Sequence, residues 1–129
     1  MNQTILIVDD DDSIRLLVQH YLRDRYRVIS APNGLEAMSL LMNNDLPDLI
    51  ITDINMPHMD GIALLKNLKI SGFYRNIPVI LLSGINSDEE YVSYKKHGAV
   101  GFLKKPFDPQ ELRKHISDTL EGQLLYPQK

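Results

Sequence analysis

The run Thr4-Ile-Leu-Ile-Val8 constrains the fold most, because it is apolar at every position after its threonine and shows no period-two alternation. A strand of that kind is covered on both faces, as strands of parallel sheets are. Parallel strands need crossover connections, and the next segment reads as one. Ile14, Leu17, Val18, Tyr21 and Leu22 recur at helical spacing, with Asp12 or Ser13 placed to cap the first turn.

The same alternation continues to the end of the chain. Arg27 to Ala31 reads as a strand, and Asn33 with Glu36 resembles a capping box that opens a helix reaching about Asn43, with Gly34 in its first turn. Asn44-Asp45-Leu-Pro47 is turn chemistry, and Leu49 to Thr52 is a third strand leading to Asp53. Leu64, Leu65 and Leu68 mark the apolar face of a helix from Asp60 to about Ile70. Ile77 to Leu82 predicts a fourth strand, Ser87-Asp-Glu-Glu90 a capping box for a weakly amphipathic fourth helix, and Gly98 its end. Val100 to Lys104 predicts a fifth strand. Asp108, Pro109 and Glu111 open a last helix whose core face is Leu112, Ile116 and Leu120.

Five strands alternating with five helices predict a doubly wound α/β domain with right-handed crossovers. At 129 residues one domain, placed here at residues 1–122, is long enough to bury a core, with 123–129 a tail or the start of a linker. No apolar run approaches a membrane span and the N-terminus lacks the pattern of a signal peptide, so a cytoplasmic location is expected. The absence of cysteine removes disulfides and thiolate chemistry, and a net charge of −3 argues against a nucleic-acid groove.

In such a sheet, ligands bind at the carboxyl ends of the strands. Those ends carry Asp9 and Asp10, Asp53, Ser83 and Lys105. Crowded carboxylates repel by about 4 kcal/mol per pair at about 4 Å and an effective dielectric near 20, so a cation must offset them. Oxygen donors without His or Cys suit Mg²⁺, and Lys105 adds a second positive charge. An acid beside a divalent cation, a hydroxyl and a lysine suits phosphoryl transfer, with Asp53 as nucleophile.

Ile7-Val-Asp-Asp10, Asp53-Ile-Asn-Met-Pro57 through Met59-Asp-Gly61, Leu82-Ser-Gly84 and Lys104-Lys-Pro-Phe107 together resemble the receiver domain of two-component response regulators, chemotaxis regulators included. The resemblance extends from about Thr4 to Leu120. It implies a flavodoxin-like sheet of order 2-1-3-4-5. It also implies that Asp53 accepts phosphate from a phosphohistidine on a histidine kinase or histidine phosphotransfer protein. Asp10 would bind Mg²⁺ directly, Asp9 mainly through water, and the backbone carbonyl of Asn55 would be a further ligand. Ser83 would hydrogen-bond the phosphoryl group, Lys105 would pair with it, and the Lys105–Pro106 bond would be cis. Phe102 stands at the family's aromatic switch position, without the hydroxyl that many members have there. The fourth helix, fifth strand and fifth helix would form the face that controls a downstream protein or a covalently linked output domain, with dimerisation on phosphorylation left open. Ile85 beside the site predicts slow autodephosphorylation.

Other readings compete with this one. A haloacid-dehalogenase-like phosphatase would also use an aspartate nucleophile but wants Asp at position 55, where Asn stands. A flavin carrier wants hydroxyls and glycines after the first strand, not Asp9 to Asp12. A receiver-like module that works without phosphate is a third possibility, and the complete set of acid, hydroxyl and lysine weighs against it. The chain is therefore expected to assist its own phosphorylation without being a turnover enzyme. Asp11 and Asp12 read as helix-start residues, Lys104 as a solvated charge, and His20, His58, His97 and His115 as surface or packing residues. Met38, Met42, Met56 and Met59 read as core and loop filling. For Tyr91 and Tyr94 two readings stay open, a solvated helix and a partner surface.

Overall fold

The computed structural model describes residues 3–43, 46–84 and 88–125. The elements run β1 (Thr4–Val8), α1 (Asp12–Leu22), β2 (Arg27–Ala31), α2 (Gly34–Asn43), β3 (Leu49–Asp53), α3 (Gly61–Ile70), β4 (Val79–Ser83), α4 (Asp88–Lys96), β5 (Gly101–Lys104) and α5 (Pro109–Leu125). All strand pairings are parallel and the sheet order is β2-β1-β3-β4-β5, as the resemblance implied.

Continuous apolar strands place side chains on both faces, and both faces are covered. On one side Leu6, Val8, Ile50, Val79 and Leu81 pack with Ala37 and Leu41 of α2, Leu64, Leu65 and Leu68 of α3, and Tyr94 of α4. On the other, Ile5, Ile7, Leu49, Ile51, Ile80, Leu82 and Leu103 meet Val18 and Leu22 of α1 and Leu112, Ile116 and Leu120 of α5. Each fully buried aliphatic side chain contributes about 1.5–3 kcal/mol, so the central strands are the stable frame on which the loops stand.

The helix starts follow their capping residues. Asp11, not Asp12 or Ser13, caps α1, because its carboxylate accepts from the Ser13 amide at 2.8 Å. Asn33 accepts from the Glu36 amide at 2.9 Å, Asp60 from that of Ala63 at 2.8 Å, and Asp108 from that of Gln110 at 2.8 Å. β4 starts at Val79, two residues later than the apolar run suggested. The Ile77 amide is spent on a turn to the Tyr74 carbonyl at 3.0 Å, and Pro78 has no amide to donate. Helix α5 continues to Leu125. Gly98 ends the α4 segment with φ 105°, its amide bonded to the Lys95 carbonyl at 3.0 Å. The expectations on Asn44, Asp45, Ile85 and Ser87, and on residues 126–129 of the tail, fall outside the described residues.

Candidate functional site

The loop after β3 is folded back onto the strand that precedes it. The Gly61 amide donates to the Ile54 carbonyl at 2.8 Å, and a β-carbon on Gly61 would lie 2.1 Å from the Asp53 carbonyl oxygen. Only glycine allows that approach. From the other side, the Gly34 amide at the start of α2 donates to the Met59 carbonyl at 3.1 Å. Asp53 is thereby held at the end of a rigid strand, by a loop pinned at both ends.

Side chains from three strand ends converge there. Ligand atoms of Asp9, Asp10 and Asp53 all lie within 4.8 Å of one another, with Asp9 and Asp53 buried and Asp10 exposed. Lys105 reaches them from the far end of β5. Its Nζ stands 2.9 Å from Asp9 Oδ2 and 3.3 Å from Asp53 Oδ1, and the Lys105–Pro106 bond is cis. The other oxygen of Asp9 accepts from the Asp11 amide at 2.9 Å, and Asp53 Oδ1 accepts from the Ile54 amide at 2.8 Å. Ser83, buried, closes β4 beside Asp53, and its carbonyl accepts from the Lys105 amide at 2.8 Å. Asn55 follows at the surface.

The electrostatics agree with this crowding. Burial, and then the neighbouring Asp9 charge, push the Asp53 carboxyl above the usual carboxylate range, against the opposing pull of Lys105 and the Ile54 amide. For Lys105, burial pulls the ammonium down, but Asp9 and Asp53 outweigh it and hold it above its ordinary value. Both partners being raised is consistent with the shorter contact: the lysine is bonded first to Asp9, so Asp53 is only partly neutralised. One ammonium among three carboxylates leaves net negative charge, and hard oxygens within 4.8 Å of one another are a donor set that fits Mg²⁺.

Several features were not expected from sequence. Arg15 of α1 donates from Nη1 to the Asp9 carbonyl at 2.6 Å and pairs through Nη2 with Asp12, bracing the acidic corner. Its signal was the spacing of three residues from Asp12, which helical geometry makes adjacent. Tyr94 is neither on a solvated face nor on an open partner surface. It is 7% exposed and packs on Phe102 with ring centroids 5.7 Å apart. Tyr91 is half-buried and stacks on the same ring at 5.0 Å, so Phe102 sits between α4 tyrosines rather than at the carboxylates. Lys104, His20 and His58 are exposed, His97 and His115 half-buried, and Met38, Met56 and Met59 pack against the core. Met42 departs from its expected filling role, being 72% exposed, because α2 turns that position outward.

Comparison with known proteins agrees with this geometry. A family model described as the response regulator receiver domain matches residues 5–117, and the chain belongs to that family. Sporulation initiation phosphotransferase F of Bacillus subtilis (strain 168) is 36% identical over 121 residues, covering 93% of this chain and 95% of the relative. A chemotaxis protein CheY homolog of Campylobacter jejuni is 32% identical over 118 residues, covering 90% of this chain and 91% of the relative. The structure of chemotaxis response regulator CheY4 of Vibrio cholerae superposes with a TM-score of 0.85 at 36% identity, covering 92% of this chain and 98% of that one. The protein is thus a chemotaxis-regulator-like receiver domain of two-component signalling. Among the described residues no helix is long and apolar enough to cross a membrane.

Proposed function

We propose that Asp53 is the phosphoacceptor of a signalling switch. The observation that carries this reading is the pairing of one buried, incompletely neutralised carboxylate with an acid pair and a lysine at the carboxyl edge of the sheet. A carboxylate oxygen of Asp53 attacks the phosphorus of a phosphohistidine on a histidine kinase or histidine phosphotransfer protein. An O–P bond forms, the P–N bond breaks, and the partner's imidazole leaves with the electron pair and takes up a proton. Lys105 would pair with the incoming phosphoryl oxygens, a role its 3.3 Å contact with Asp53 supports, and the Ser83 hydroxyl would donate to one.

Asp10, Asp53 and the Asn55 carbonyl would hold Mg²⁺, with Asp9 acting mainly through water because both of its oxygens already accept hydrogen bonds. The ion, when bound, supplies neutralisation of charge on the transferring group. The chain assists its own phosphorylation and dephosphorylation but turns over no outside substrate. Its output is a change in the face built from α4, β5 and α5, read by a downstream protein or an attached domain. Thin packing supports this, since among the described side chains of α4 only Tyr94 is buried.

Incubation with acetyl phosphate and Mg²⁺ followed by intact mass measurement tests the reading. One phosphate adduct is expected on the wild type and none on Asp53→Asn. An adduct that survives the substitution would assign the phosphate to another residue, and none on the wild type would leave a phosphate-independent interaction module instead.

A further inference from the structure

Asp9 is tied through its amide, its carbonyl and its carboxylate. The amide donates to the Ala31 carbonyl of β2 at 3.1 Å, one carboxylate oxygen accepts from the Asp11 amide at 2.9 Å, and the other accepts from Lys105 Nζ at 2.9 Å. The carbonyl is held from α1, where Arg15 Nη1 donates to it at 2.6 Å. Through Nη2 the same guanidinium pairs with Asp12, so one planar fork spans the acidic corner from its first residue to its last. The Arg15 side chain is 18% exposed and that of Asp12 is 82% exposed. The guanidinium is therefore sheltered in the corner, while its acidic partner stands in water.

Charge does not explain an arginine at this place. Asp9, Asp10 and Asp53 offer oxygens within 4.8 Å of one another, and a cationic side chain beside them weakens, by repulsion, their hold on a metal ion. The bond from Nη1 is to backbone, which points to a geometric role. The Asp9 carbonyl and the Asp10 amide belong to one rigid peptide plane, so a donor that fixes the carbonyl fixes the backbone from which the Asp10 side chain departs. Asp10 is the exposed member of the cluster, and its reach depends most on that backbone. Mg²⁺ demands near-ideal octahedral geometry, whereas Ca²⁺ accepts longer contacts and variable coordination. We propose that Arg15 is a positioning residue that makes the site selective for Mg²⁺ over Ca²⁺, by locking the Asp9–Asp10 peptide and with it the reach of the Asp10 carboxylate toward Asp53. The inference rests on the carboxylate cluster holding Mg²⁺. Asp12 neutralises the guanidinium but contributes little to holding it, because that pair lies at the surface.

Separate Mg²⁺ and Ca²⁺ titrations, followed by the backbone amide resonances, test this role, and the spectra report whether each variant is folded. Arg15→Met keeps an apolar stem on α1 and removes the fork. It should weaken Mg²⁺ binding about 10-fold and Ca²⁺ binding less than about 3-fold, so that selectivity falls. Asp12→Asn should leave both affinities within about 2-fold of wild type. If Arg15 acted through its charge, Arg15→Met would bind both ions more tightly; if it only stabilised the fold, both would weaken alike. Either result overturns the proposal, as does an unchanged Mg²⁺ affinity, or a loss in Asp12→Asn equal to that in Arg15→Met. If Arg15→Met does not fold, Arg15→Gln, uncharged and too short to span the corner, takes its place and is read the same way. Failure of the wild type to bind Mg²⁺ is a separate result, which removes the ion site and the role of Arg15 with it.

Discussion

Ile51 and Asp53 lie two residues apart on β3, point to the same face of the sheet and are both buried, yet their burial has opposite consequences. Ile51 sits level with Ile7 of β1 and Ile80 of β4, within the aliphatic layer under α1 and α5. Its removal from water stabilises the fold. Asp53 is level with Leu82 and faces Asp9 and Lys105, so its removal from water opposes folding in the charged state. The strand spends its first four residues on stability and its last on reactivity. A site of this kind is affordable because the frame beneath it is so thoroughly apolar.

Truncating the frame should have the largest effect. Ile51→Ala is expected to lose about 2–5 kcal/mol in urea unfolding, the range for large-to-small substitutions in packed cores. A loss under about 1 kcal/mol would show that the layer beneath the site is loosely packed.

Asp53→Asn should move stability the other way by a smaller amount. The folded pKa of Asp53 is raised by burial and by Asp9, so the stability linked to it is present below its unfolded value and is lost as pH rises through the folded one. The midpoint of Asp53→Asn should therefore exceed that of wild type at neutral pH, and the gap should close as the solution is acidified below the unfolded carboxylate range. An unchanged gap across that interval would mean that the charge of Asp53 is already fully compensated.

Mg²⁺ should narrow the same gap from the other side. A ligand at about ten times its Kd stabilises by about 1.4 kcal/mol, so thermal unfolding of the wild type should rise with Mg²⁺ while Asp53→Asn responds less. Equal responses would separate the ion from the three-carboxylate cluster.

The smallest change is expected between the two. The Thr52 hydroxyl is buried and donates to the Asp53 carbonyl at 2.9 Å, a bond within the strand that costs little to replace by shape alone. Thr52→Val should alter the urea midpoint by no more than about 1 kcal/mol, in either direction. A larger loss would show that this hydroxyl helps to orient the end of the strand.

Most of the elements could be read directly because their signals are local. Periodicity, capping residues and glycines located α1 through α5, and continuous apolar runs located the strands, with errors of a residue or two where a cap or Pro78 shifted an edge. Arg15 and Tyr94 were less legible. A half-apolar helix such as α4 has no periodicity strong enough to say which face is buried, and Tyr94 is placed by Phe102, which stands eight residues away across a turn.

By itself the sequence determined which residue types reach the strand ends, since alternation of strand and helix and the positions of acids, hydroxyl and lysine are properties of the chain read in order. Parallel pairing and its register decided the rest. They bring Lys105 to Asp9 across 96 residues, place the ammonium nearer to Asp9 than to Asp53, and leave Asp53 the less neutralised acid. They also bury Tyr94 against Phe102. Distances of a few ångströms between remote residues set these energies, and such distances exist only once the sheet has closed its layers.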